Sequence, residues 1–389
     1  MSTVYPVPEN YPSEIIGYAQ PWIVDPGDSI DIKVSSTEPE IKHRTFRVLQ
    51  GTQCEDGPEP QYEEITAVPH GRCPGRFQLA HQGSYAVVSD IGLDEAVDKG
   101  LGFSVCVQPW MNQAGHHQAF ISNLNPSSKT GLWIGLDELG HIIVQVGQEA
   151  KIQTITTDFV PSERRWTKLE LNVQAEELQL DIRPLALGLE PPASNPIVLN
   201  LSLDAPIRLG HASELLLAAS RTSKTINGAS RLLASSHFNG RLESVMITAI
   251  GEASQTLASY DFSIGIATDK ITDTSGSNRT GRLINAPSRA VKGMLWDGSA
   301  TDWTRDARGY GAIHFHEDDL DDAEWQTDFS ITMPSDARSG VYVVHLESVS
   351  VAPSPPVSDQ VVFFVRPTAQ SKKSEKAALP RARRGARRH

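Results

Sequence analysis

Gly102-Phe103-Ser104-Val105-Cys106-Val107-Gln108-Pro109-Trp110 alternates apolar and small or polar side chains over nine residues and stops at Pro-Trp. Successive side chains on a strand point to opposite faces, so this period of two reads as a strand with one face in a core. Strands of the same kind follow. Gly131-Leu132-Trp133-Ile134-Gly135-Leu136 and His141 to Val146 read as a hairpin that turns at Leu139-Gly140. Trp166-Thr167-Lys168-Leu169-Glu170-Leu171-Asn172-Val173 alternates again, as does Leu178 to Ile182. His237-Phe238-Asn239-Gly240-Arg241-Leu242-Glu243-Ser244-Val245-Met246-Ile247 closes the series, its Gly permitting a tight backbone and its aromatic filling a core. Residues 212–235, rich in Ala, Leu and Ser and containing Gly228, read as a loop between the last two.

In that order the segments are similar to a concanavalin A-like or laminin G-like jelly roll over residues 76–287. Before it, Ser29 to Ser35 alternates Ile30, Ile32 and Val34 against Ser29, Asp31 and Lys33, after a Pro26-Gly27-Asp28 turn, and Thr45 to Leu49 adds a further strand. After it come Phe329-Ser330-Ile331-Thr332-Met333-Pro334, then Val341-Tyr342-Val343-Val344-His345-Leu346 beyond a Ser339-Gly340 turn, a proline-rich loop at Ala352 to Pro356, and Val361-Val362-Phe363-Phe364-Val365 as a final buried strand. An immunoglobulin-like sandwich needs about seven strands, which neither flank supplies alone. The expected fold is therefore all-β: an immunoglobulin-like β-sandwich split between residues 12–75 and 288–367 and interrupted by the larger jelly roll. Two small separate β modules are the alternative.

Composition bounds the rest. The chain has 389 residues, a net charge of −12, 29 Gly and 25 Pro, which suits short strands and turns over long helices. Residues 371–389 hold eight Lys/Arg against one Glu, leaving 27 basic against 46 acidic residues elsewhere. Such an acidic body offers no general affinity for nucleic acid. Residues 368–389, without apolar periodicity, read as a disordered basic tail. No run of about 18 apolar residues marks a membrane span. Cys54, Cys73 and Cys106 form no C-x-x-C pair, and Met1 to Asn10 does not read as a secretory leader, so a reducing, cytoplasmic setting with inert buried thiols is expected.

Three stretches carry a resemblance to a known family. One is Gly17-Tyr18-Ala19 through Ser35. Another is Tyr260-Asp261-Phe262-Ser263 with Gly265-Ile266, Asp273, Ser275-Gly276, Gly281, Asn285-Ala286-Pro287 and Arg289-Ala290-Val291. The most specific is Trp296-Asp297-Gly298, Tyr310-Gly311-Ala312-Ile313-His314-Phe315-His316-Glu317-Asp318-Asp319-Leu320, Asp322-Ala323, Trp325 and Ser339-Gly340-Val341-Tyr342. Up to Pro367 the chain resembles the non-catalytic front half of the N,N-dimethylformamidase large (β) subunit. That resemblance implies an immunoglobulin-like piece plus a jelly roll, followed in the family by an α/β domain resembling a glutamine amidotransferase fold. There an iron held by two tyrosines and a glutamate serves hydrolysis of N-substituted formamides to formate and amine. After Arg366-Pro367 this sequence departs from the pattern with Thr368-Ala369-Gln370-Ser371-Lys372-Lys373, and no iron ligand maps onto it. The expectation is a form truncated before the catalytic domain and inactive alone, with no cofactor of its own, and with a small amidase subunit and further copies of itself as partners.

The densest polar constellation is His314, His316, Glu317, Asp318, Asp319, Asp321 and Asp322. His314 and His316 flank Phe315, so on a strand both imidazoles face one side. With a carboxylate they form a candidate set for a first-row metal, if a third ligand and an open position join them. Against this stands the ordinary reading: an acidic loop leaving a strand is solvated, and its histidines serve hydrogen bonding or domain docking. His116-His117 reads as a surface pair, and Ser236-His237 lacks a G-x-S-x-G elbow. No phosphate-binding glycine motif is present. Trp110, Trp133 and Trp166 read as core, or, on an exposed face, as sugar-stacking aromatics. Asp137-Glu138 and Asp94-Glu95 are loop carboxylates without a D-x-D-x-D-G calcium motif. A carbohydrate- or protein-binding module is thus the alternative to the scaffold reading, and an enzyme centred on His314 and His316 the third.

Overall fold

The computed structural model describes residues 5–51, 57, 59–89, 91–93, 100–188, 190–208, 214–226, 229–251, 254–349 and 356–367. Cys54, Asp94-Glu95, most of the proline-rich loop and the basic tail lie outside them. Among the described residues there is no α-helix, only a three-residue 3₁₀ turn at Arg308–Tyr310, and no helix is long and apolar enough to cross a membrane. The protein is all-β. Its chain forms two compact units, one from residues 1–80 and 324–389, the other from 81–323.

The smaller unit is a sandwich of two sheets. One sheet is Ile15–Gln20, Ser29–Ser36 and Thr327–Thr332, antiparallel throughout. The other runs Ile23–Val24, Ser358–Val365, Gly340–Ser348, Glu40–Gln50 and Gln61–Glu64, with Gly71–Pro74 also on Glu40–Gln50. The alternation read in Ser29–Ser35 sends Ile30, Ile32 and Val34 into the core against Tyr342, Val344, Leu346, Val361 and Phe363. Each such side chain removed from water contributes roughly 1.5–3 kcal/mol. The run Val361 to Val365 reads as buried on both faces, but only Val361, Phe363 and Val365 are inside. Val362 and Phe364 stay 46% and 41% exposed, because their face of the sheet has no layer over it among the described residues of this unit.

The larger unit packs two sheets of eight strands. The first has the order Ile152–Thr156, Ile142–Gly147, Leu132–Leu136, Gln118–Ser122, Leu215–Leu217, Tyr85–Val88, Gly281–Ile284, Lys270–Ile271. The second runs Ile197–Ser202, Glu177–Pro184, Thr167–Gln174, Leu101–Pro109, Gly240–Ala249, Ala312–Phe315, Ser288–Val291, and Gln255–Tyr260 also pairs with Gly240–Ala249. Phe103, Val105 and Val107 point into the shared core with Leu169, Leu171, Leu180, Phe238, Leu242 and Phe315. Gly240 is small of necessity: a Cβ there would lie 2.5 Å from the Gln108 carbonyl oxygen and 2.5 Å from the Phe238 ring.

Two boundaries differ from the sequence reading. The sequence places the return to the first sandwich at residue 288, whereas the chain returns only near Glu324. Ala312–Phe315 alternates Ile313 and Phe315 into the jelly-roll core and pairs with Gly240–Leu242, and Ser288–Val291 pairs onto it in turn. Within the loop expected over 212–235 lie three strands, Leu215–Leu217, Ser220–Ile226 and Ala229–Ser235. Leu215–Leu217 is apolar on both faces and fills a central position of its sheet, and Ser220–Ile226 pairs with Ala229–Ser235 as a hairpin bearing a Ser223–Ser230 hydroxyl contact of 2.7 Å.

Candidate functional site

The polar constellation gathers at the end of the Ala312–Phe315 strand. His314 pairs in register with Arg241, and Arg241 with Gln108, so the three lie in one row across the outer face of the second sheet. His314 is 6% exposed. Its ring lies 4.5 Å from that of Trp110 and 4.1 Å from that of His316. Trp110 in turn has the Arg164 and Arg241 guanidinium groups at 4.9 and 5.0 Å from its ring centre. Burial, then the neighbouring His316 and Arg241, push the His314 pKa down to about 3. His314 is thus a neutral aromatic plate at ordinary pH, and its Nε2 is buried with no hydrogen-bond partner among the described residues.

His316 and the acidic turn are engaged differently. His316 Nδ1 lies 3.2 Å from Asp319 Oδ2, the same oxygen that accepts the Ser84 hydroxyl at 2.7 Å. The Ser84 Oγ also accepts the His316 amide, and the Ser84 amide donates to the His316 carbonyl. The Glu317 amide donates to Asn239 Oδ1, and the Glu317 carboxylate pairs with His116 Nε2 at 2.8 Å. Asp318 is exposed in the turn itself. These bonds fasten the Gly83-Ser84 loop and the His116 loop to one strand end.

The arrangement is not that of a nucleophilic triad. A triad needs the hydroxyl at the imidazole nitrogen opposite the carboxylate, and here Ser84 and the His316 Nδ1 share one carboxylate oxygen. Nor is it a metal centre as it stands. His314 and His316 face the same side as read, their rings tilted by 33° with centroids 4.1 Å apart. Among the described residues no group of three His, Cys, Asp or Glu is placed to hold a metal ion.

The other candidates fall as follows. Trp133 and Trp166 are core residues, while Trp110 is half-buried in the cationic stack. His117 pairs with Glu138 at 3.4 Å, and Asp137 closes the hairpin by accepting the Leu139 and His141 amides. His237 lies under Gly83, where a Cβ would come within 2.4 Å of its ring, and burial lowers its pKa. Cys73 and Cys106 are free and buried, and burial pushes their thiols up to about 11 and about 12. Ser84, His116, Asn239 and Arg241 belong to the cluster but carry no sequence motif; only the folded sheet brings them together.

Three buried tyrosines do not fit the iron set, two tyrosines and a glutamate, that the family resemblance implies. Tyr260 gives its hydroxyl to the Arg279 carbonyl at 2.8 Å, Tyr310 to the Ala300 carbonyl at 3.2 Å, and Tyr342 to the Arg338 carbonyl at 2.6 Å. A phenolate ligand would have to abandon such a bond, and burial raises the Tyr260 and Tyr342 pKa values further.

A family model described as "N,N-dimethylformamidase beta subunit-like, C-terminal" matches residues 288–380. The match passes Pro367, where the sequence reading ends the resemblance. The N,N-dimethylformamidase beta subunit of Alcaligenes sp is 27% identical over 386 residues, covering 91% of this chain and 49% of that protein. The beta subunit of Paracoccus aminophilus is 27% identical over 387 residues with the same coverage. The chain spans about half the length of these relatives. Among solved structures, domains LG4-5 of the mouse laminin alpha1 chain are 14% identical over 50% of this chain and 46% of that one, with a TM-score of 0.29. A SAP-like pentraxin from Limulus polyphemus is 7% identical over 55% of this chain and 78% of that one, at 0.27.

Proposed function

We propose, on the premise that this chain is a relative of the N,N-dimethylformamidase β subunits, that it serves a formamide-hydrolysing enzyme as its β-sandwich part, shaping and assembling the catalyst without supplying the iron ligands. The observation that carries this reading is the use of the buried tyrosines: Tyr260, Tyr310 and Tyr342 each spend the hydroxyl on a backbone carbonyl. The His314 cluster supports it, since Ser84, His116, Asn239 and Asp319 are used to tie loops to a strand. Its partners would be the remaining parts of such an enzyme, among them a small amidase subunit and further copies of the chain. Fold alone does not confer sugar binding, and the burial of Trp133 and Trp166 removes two of the three aromatics that a glycan-binding reading would use.

The test is direct. The purified 389-residue chain is expected to release no formate from N,N-dimethylformamide and to carry no stoichiometric iron. Formate release together with stoichiometric iron would overturn the proposal.

A further inference from the structure

Glu243 stands apart from everything used above. It lies on the Gly240–Ala249 strand opposite Cys106, where the register breaks: Glu243 pairs with Cys106, and the next pair is Met246 with Ser104. Ser244 takes a φ of +54° at this bulge. Bulges re-aim side chains, and this one accompanies a carboxylate that is 4% exposed. Its Oε2 accepts the Met294 amide at 2.5 Å. Its Oε1 has no hydrogen-bond partner among the described residues. Two glycines leave it room. A Cβ on Gly293 would lie 2.5 Å from Oε2, and one on Gly311 would lie 3.3 Å from Oε1 and 3.2 Å from the Arg308 carbonyl oxygen.

The carboxylate lines a cleft of about 550 Å³ whose walls include Leu185, Phe262, Ser263, Met294 and Leu295. That volume falls within the range of small-molecule sites. A mostly buried carboxylate with one oxygen unused calls for a positive donor. Neither cationic side chain on the wall serves: Lys168 gives its ammonium to Glu170 at 2.7 Å, and among the described residues no ion pair joins Arg308 to Glu243. Asp261 is turned to the Ser263 amide and hydroxyl. What remains beside Gly311 is one carboxylate oxygen and one carbonyl oxygen, a donor set suited to an N–H cation rather than to a metal ion.

We propose that this cleft binds a small alkylammonium ion bearing at least two N–H donors, one given to Glu243 Oε1 and the other to the Arg308 carbonyl, with the alkyl group against Met294 and Leu295. The site does not depend on the proposed enzyme role. Binding requires the ionised carboxylate. Burial, with Asp261 adding to it, pushes the Glu243 pKa up to about 7. The charged or titratable groups lining the cleft with it are Cys106, Lys168, Tyr260, Asp261 and Arg308, with Glu170 paired to Lys168. Affinity is therefore steady above pH 8 and falls about tenfold between pH 8 and pH 6.

The experiment is an NMR titration of the full chain with n-propylammonium chloride, with tetramethylammonium chloride as the control that has charge but no N–H. Saturable shifts at Phe262, Ser263 and Met294 are expected with the first salt only. Glu243→Gln keeps an acceptor for the Met294 amide and should weaken binding at least about tenfold. Gly311→Ala, which fills the space beside Oε1, should weaken it similarly and keeps the test decisive if the Gln variant fails to fold. Absence of saturable shifts in the parent chain, equal response to tetramethylammonium, or undiminished binding in a folded variant would each overturn the proposal.

Discussion

At the scale of single residues, the imidazole at His314 makes a prediction whose sign is fixed by its burial. A free histidine titrates near 6.5 and His314 near 3. Below pH 6.5 the unfolded chain takes up a proton that the folded chain refuses, so stability falls as pH drops from 6.5 toward 3, by on the order of 1.4 kcal/mol per unit from this group. His314→Phe keeps a ring beside Trp110 and His316 and removes the titration. Urea unfolding at pH 7 and pH 5 should show a smaller loss in the variant than in the parent. The alternation His314-Phe315-His316 is legible in sequence and puts both rings on one side, as found. The Trp110 ring, the Ser84 hydroxyl and the His116 imidazole that complete the cluster come from distant strands and loops, and no local spacing announces them. Glu243 was more readable than it looks. Phe238, Gly240 and Leu242 keep one parity, while Val245, Ile247 and Ala249 keep the other, and that slip in a period of two marks the bulge beside the glutamate.

At the scale of elements, one strand separates burial from hydrophobicity. Phe363 and Phe364 are adjacent and chemically identical, but Phe363 is fully buried and Phe364 is not. Phe363→Ala should cost about 3–5 kcal/mol of stability, and Phe364→Ala less than about 1 kcal/mol, both read by denaturant unfolding. A run of five apolar residues cannot reveal this difference, because period-two alternation is what tells an outer face from an inner one and here both faces are apolar. Where alternation is clean, as in Thr167–Gln174, sequence and burial coincide, whereas in Ser29–Ser36 the polar Lys33, Ser35 and Ser36 are buried beside Ile32 and Val34. The hairpin Ser220–Ile226 with Ala229–Ser235 went the other way: its polar, serine-rich alternation looks like loop until its two arms are laid side by side.

At the scale of the whole molecule, the smaller unit is assembled from two stretches far apart in sequence, and a few polar groups join them. Arg76 donates through Nε at 2.9 Å and through a terminal nitrogen at 2.6 Å to Asp328 Oδ1, and also bonds the Gln326 side chain. Asp328 Oδ2 accepts the Val34 amide at 2.8 Å. The Asp328 side chain is 3% exposed and that of Arg76 25%. Removing one partner strands a buried charge, so Arg76→Ala should cost about 3 kcal/mol, while Arg76→Met with Asp328→Asn, which keeps an acceptor for the Val34 amide, should cost less; chemical denaturation of the three proteins distinguishes the two outcomes.

The stretch between those seams leaves and rejoins this unit at neighbouring points. The Gln326 amide meets the Gln78 side chain at 2.9 Å, although 248 positions separate them along the chain. During synthesis, therefore, the strands made first must wait on the ribosome's delivery of an entire intervening body before Thr327–Thr332 and Gly340–Ser348 emerge to close over them. A protease or a chaperone arriving in that interval would meet an open half-sandwich beside a finished neighbour.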